Sequence, residues 1–105
     1  LHKDLLLEWL EDINWPVSAK VLEVLKPFVI EIEAGILKIL KGDDPEWKCN
    51  IILHLLCNAE EVSPLIISEV KEIYKHHSEL LELKEVCEVF FKKFEIFKRL
   101  KLLLS

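Results

Sequence analysis

A chain of 105 residues is the size of one domain, and with 51% of them hydrophobic it can enclose a core, which excludes a disordered chain. Only two glycines are present, too few for a sheet of tight hairpins or for a phosphate-cradling loop. Nineteen acidic residues against fourteen basic ones leave a net charge of −5, which argues against a nucleic-acid partner, since polyphosphate binding needs cationic surface.

Leu5, Leu6, Trp9, Leu10 and Ile13 recur at helical spacing and predict a first helix over residues 2–11. A second begins after Trp15-Pro16, with Val17, Val21, Leu22, Val24 and Leu25 apolar. It stops at Lys26-Pro27, because the residue before a proline is pushed out of helical geometry. The third spans residues 29–41, burying Ile32, Ile36, Leu37, Ile39 and Leu40, with Gly42 as its stop. In "GDDPEWKCNIILHLLCN", Asp44 reads as an N-cap, Pro45 as the first helical residue and Glu46 as a first-turn anion. The fourth helix, to residue 58, is apolar on most faces and is expected to be the most buried. Ser63-Pro64 repeats the cap-and-proline start for a fifth helix over residues 65–77. A sixth covers residues 79–103, where Leu80, Leu83, Cys87, Phe90, Phe94 and Phe97 step by three and four into one seam.

A shift of 32 residues lays Asp12-x-x-Trp15 on Asp44-x-x-Trp47, Val17 on Cys49, Ser18 on Asn50 and Val21 on Leu53. Helix, Asp-bearing turn and second helix thus occur twice, and the last two helices read as a degenerate third copy. That period marks a stack of helix pairs, in which each pair buries its apolar face against the next. The expected fold is all-α: a right-handed α-α superhelix of about three hairpins over residues 2–26, 29–58 and 64–104, in one domain of residues 1–105. Asp12 and Asp44 are assigned as caps and Pro16 and Pro45 as first-turn prolines; Trp9, Trp15 and Trp47 could stack on a ligand, but the recurrence of Trp15 and Trp47 beside helix starts favours wedges between hairpins.

Asp12, Val17, Val21 and Leu25 resemble the second-helix pattern of HEAT repeats, and Asp44, Cys49, Leu53 and Cys57 follow it more loosely. The Arg that HEAT repeats place after the first aliphatic is replaced by Ser18 and Asn50, so their charged ladder is missing. More closely, "EWLEDINWPVSAKVLEVL" and "ILKILKGDDPEWKCNIILHLL" resemble a family of small, mainly bacterial HEAT-like proteins known as a domain of unknown function. Its hallmark is D-I-N-W-P followed some thirty residues later by an acidic stretch and W-K, and the likeness covers residues 5–56. The resemblance implies a fold and carries no activity with it.

No catalytic motif emerges. Cys49, His54, Cys57, Cys87 and His76-His77 supply zinc-type atoms, but Cys49 and Cys57 lie about two turns apart and no C-x-x-C exists. His54 faces neither thiol on a helix, so a small enzyme with a Cys/His site is the least favoured reading. No catalytic, metal or cofactor residue is assigned. Three cysteines in apolar surroundings fit free thiols in a reducing cytoplasm. The longest uncharged stretch, "CNIILHLLCNA", is too short to cross a bilayer. Beginning at Leu1 and lacking methionine, the sequence reads as a trimmed piece of a longer chain.

Asn50, His54 and Asn58, four apart, form a polar stripe on the apolar fourth helix. The stripe is either a partner-binding face or a solvated edge whose members satisfy nearby carbonyls. Residues 1–91 carry nine cations against eighteen acids, whereas residues 92–105 carry five cations against Glu95 alone. That tail reads first as the solvated face of the closing helix, then as a surface for pairing two copies, and last as a membrane-surface helix. The functional expectation is a non-enzymatic, cytoplasmic protein–protein interaction module whose acidic body would suit a basic or polar partner. An immunity- or inhibitor-type protein covering a cationic active site is the alternative.

Overall fold

The computed structural model describes residues 3–76 and 80–104, with side chains up to residue 95. Every regular element among the described residues is helical, so the chain is all-α. Helix α1 (Lys3–Leu6) tightens at once into a 3-10 segment, Leu7–Leu10, with Leu7 and Leu10 buried. The chain then turns at Asp12, whose carboxylate accepts the Asn14 backbone N–H at 2.9 Å.

Helix α2 (Val17–Leu25) starts directly after Pro16, whose φ of −55° is already helical. No side chain caps it, so Asp12 shapes the turn and does not cap the helix as the repeat alignment predicts. Past Leu25 the chain makes a 3-10 turn, Lys26–Phe28, around Pro27. Helix α3 (Glu33–Leu40) begins later than the apolar spacing predicts. Val29 and Ile32 reach the core from turn conformations, which periodicity does not separate from helix. Gly42 closes α3 by donating to the Ile39 carbonyl at 3.0 Å, without the left-handed backbone usual for a glycine stop.

Helix α4 (Pro45–Asn50) starts as its sequence dictates: Pro45 is first, and Asp44 Oδ1 accepts the Trp47 N–H at 3.1 Å. It then widens into a π-helical stretch, Ile51–Leu55, and ends in a 3-10 turn, Leu56–Asn58. The widened turn carries Ile51, Ile52, Leu55 and Leu56 all into the core. Lys48 is 5% exposed, and its ammonium takes part in no ion pair among the described residues. Helix α5 (Pro64–His76) is capped by Ser63 Oγ, which accepts the Ile66 N–H at 3.3 Å. Helix α6 (Leu81–Leu104) is one unbroken helix of 24 residues, about 36 Å long at 1.5 Å per residue. Of its predicted seam, Leu83, Cys87 and Phe90 are buried and Phe94 half-buried, whereas Leu80 is exposed. The side chains of Phe97, Lys98, Arg99 and Lys101 lie outside the described residues.

Helices pack in sequence pairs: α1 on α2, α3 on α4 and α5 on α6. Across pairs, α3 packs on α5, α4 on α6, and α2 on the π-helical stretch. Helix α1 reaches α3 at Gly35, where a Cβ would stand 3.0 Å from Leu7 Cδ1 and 2.9 Å from Asp4 Oδ1. Odd-numbered helices therefore lie against each other, even-numbered ones likewise, and a single core of Leu10, Leu25, Ile36, Ile51, Ile52, Leu55, Ile66, Val70 and Cys87 joins them.

Candidate functional site

The carbonyl end of a helix has no partners of its own and must find them elsewhere. At the end of α1 they come from three polar side chains of α2 and α4. Ser18 Oγ lies 2.9 Å from the Trp9 carbonyl oxygen and 3.1 Å from that of Asp12, sharing one proton between them. Asn50 Nδ2 donates to the carbonyls of Leu10 at 2.9 Å and Glu11 at 3.3 Å. The Trp47 indole N–H donates to the Leu7 carbonyl at 3.1 Å. Ser18 and Asn50, which a shift of 32 residues aligns, thus both hold the same stretch of backbone.

That stretch borders an open, acidic surface cleft. Glu8, Trp9, Glu11, Asp12 and Trp15, with Asp44 and Glu46 from the start of α4, line an open cleft of about 610 Å³. Trp9 is 45% exposed and Trp15 is 56% exposed, and neither indole N–H has an acceptor among the described residues. Asp12 and Asp44 each commit one oxygen to a backbone N–H, and the other lining carboxylates have no partner among the described residues. Among the described residues no cation lines the cleft, and the ion pairs Lys3–Glu31 and His76–Glu72 lie away from it. Five carboxylates, none in an ion pair among the described residues, focus a negative potential in this concavity. An adjoining groove of about 540 Å³ between α1 and α3 shares Glu8 and Asp44; Leu5, Ala34, Ile39 and Trp47 give it an apolar lining, and Asp4, Lys38 and Asp43 also border it.

Of the residues singled out from sequence, Trp47 packs partly buried on the core and its indole N–H donates to the Leu7 carbonyl. Trp15 is not a wedge: the turn that Asp12 closes leaves its ring on the surface of the cleft. Pro16 and Pro45 set helix starts. Asn50 is buried against the end of α1, which removes it from any exposed stripe. Asn58 is exposed near α6, its Nδ2 donating to the His54 carbonyl at 3.0 Å and its Oδ1 accepting from Lys93 at 3.4 Å. His54, between them, is half-buried. The π-helical stretch adds a residue to the turn separating Asn50 from Asn58, so a spacing of four no longer keeps one face. Sequence reasoning missed Glu8, Trp9, Glu11 and Glu46 as neighbours of Trp15. The run "EWLED", three acids around a tryptophan beside a second tryptophan, carried the signal.

The three thiols are free and buried. Burial, with help from Glu82 and Glu46, pushes Cys49 up to about 11. Burial, then the neighbouring thiols and Glu88, takes Cys87 to about 12. Cys57 is also raised by burial, with Lys93 pulling the other way. It borders a second cleft of about 550 Å³, mostly apolar, with Leu56, Val62, Phe90 and Phe94. Among the described residues no three His, Cys, Asp or Glu side chains converge as a metal site, and no helix is long and apolar enough to cross a membrane.

A family model described as a domain of unknown function, DUF5071, matches residues 2–91, and the chain belongs to that family. Comparison with curated proteins and with solved structures returned no match.

Proposed function

We propose that the chain is a non-enzymatic protein-interaction domain that engages a basic protein partner. The observation that carries this reading is the concentration of unpaired carboxylates in one open cleft, free of cations, on a body with eighteen acids against nine bases over residues 1–91. Such surfaces steer oppositely charged proteins and select among them. The thiols argue on the same side: burial keeps them protonated, the reverse of what a cysteine nucleophile needs. Finer parts of the reading are a right-handed, HEAT-like stack of hairpins of bacterial type, working in the cytoplasm. The way helices of alternate number pack on each other favours the stack. An inhibitor or immunity-type protein covering a cationic active site would use the same acidic surface. Affinity capture from the source lysate at low and moderate salt tests the proposal. A partner retained at low salt and released as salt rises is expected; no partner under either condition contradicts it.

A further inference from the structure

We infer that the cleft between the end of α1 and the start of α4 reads arginine, in an extended segment of the basic partner whose next apolar residue sits in the groove between α1 and α3. This rests on the reading of the chain as a domain for a basic protein, and adds to it the place and the side chain recognised.

The occupant follows from what the cleft offers. Carboxylates alone would serve any cation, yet no three of them converge on a point, so the charge is spread too widely to hold a metal ion. Spread acids interleaved with the exposed faces of Trp9 and Trp15 suit a flat, delocalised cation. A guanidinium stacks on indole and pairs carboxylates through its fork of N–H donors; an ammonium is a compact, strongly hydrated charge that does neither as well. The shared walls of the two concavities, Glu8 and Asp44, make one continuous track. A chain laid along it puts a cation beside the tryptophans and an apolar side chain against Leu5, which is itself 60% exposed.

The backbone below is held by side-chain hydrogen bonds. Ser18, Asn50 and the Trp47 indole fix the carbonyls of Leu7, Trp9, Leu10, Glu11 and Asp12, so the residues displayed above them need little ordering on binding. Two exposed tryptophans amid unpaired acids are unfavourable for the free protein, and aromatic anchors with charge complementarity are what binding surfaces use.

The test is calorimetric titration at low salt with a blocked peptide alternating arginine and glycine and ending in leucine, and with its lysine counterpart. The proteins are the wild type, E8Q/E11Q/E46Q, W9S/W15S, and a control of equal charge change away from the cleft, E23Q/E60Q/E85Q. The arginine peptide should bind the wild type more tightly than the lysine peptide. It should lose about tenfold in affinity with the cleft carboxamide variant and about fivefold with the tryptophan variant, but only about twofold with the control. Equal losses in the cleft and control variants, or equal binding of the two peptides regardless of the tryptophans, overturn the arginine assignment while leaving a basic partner in place. No binding of either peptide to the wild type removes both. Circular dichroism checks the fold of each variant. If a cleft variant unfolds, protection of the wild-type tryptophans from acrylamide quenching by the arginine peptide decides the matter: protection supports the assignment and its absence overturns it.

Discussion

Asn50 in α4 donates from Nδ2 to the carbonyl of Leu10 at 2.9 Å, tying the second helix pair to the end of the first helix. Both amide hydrogens are used, since the second reaches Glu11 at 3.3 Å, and the side chain is buried. Removing it strands two helix-end carbonyls. Asn50→Ala should lower stability by about 1–3 kcal/mol. Ser18→Ala, which frees the carbonyls of Trp9 and Asp12, should cost about 1 kcal/mol. Urea unfolding measures both; an unchanged midpoint for Asn50→Ala would contradict this role.

Trp15 and Trp47 stand at equivalent repeat positions and should respond in opposite ways. Trp47→Phe loses the donor to Leu7 at a cost of about 1 kcal/mol, and Trp47→Ala loses packing too, about 2–3 kcal/mol. Trp15→Ala removes an exposed ring and should stay within about 0.5 kcal/mol of the wild type. Thermal melts of the three variants check the contrast.

The buried thiols set a limit on alkaline stability. In the unfolded chain they titrate near 9.0, whereas the native protein holds Cys49 to about 11 and Cys87 to about 12. Above pH 9 the native state therefore binds more protons than the unfolded state, and stability falls as pH rises. The thiol contribution is complete below pH 9 and is lost progressively toward pH 11–12. Denaturant melts across that range follow it. At pH 8, iodoacetamide should label the native protein slowly and all three cysteines quickly once urea is added, by mass spectrometry.

Crowding five carboxylates without a cation should destabilise the free protein. Glu11→Gln is expected to raise the melting temperature by about 1–3 °C at low salt, an effect that fades as salt screens the cleft. A lower melting temperature would mean that Glu11 has a stabilising partner.

Much of the fold was legible because its signals are local. Asp44-Pro45 and Ser63-Pro64 start α4 and α5 where the residues say, and the leucine and isoleucine spacing marks the elements that pack. Two kinds of information were not local. Periodicity cannot distinguish Val29 and Ile32 in turns from the same residues in a helix, and nothing in "NIILHLLCN" announces the π-helical stretch that separates Asn50 from Asn58. The repeat alignment treated Trp15 and Trp47 alike. Their fates differ because Asp12 closes a turn onto Asn14, two residues before Pro16 sets the helix start, while Asp44 caps its helix directly. The cleft needed the third dimension: Glu46 and Trp9 come together only when α4 docks on the end of α1.

The indole N–H signals of the three tryptophans test the central claim most directly, in a heteronuclear NMR titration of the labelled protein with the arginine peptide. Trp9 and Trp15 line the cleft, whereas the Trp47 N–H is held by the Leu7 carbonyl. The signals of Trp9 and Trp15 should move saturably while that of Trp47 stays in place. Movement of Trp47 alone, or no movement of any of the three, would contradict the assignment of this cleft as the partner-binding surface.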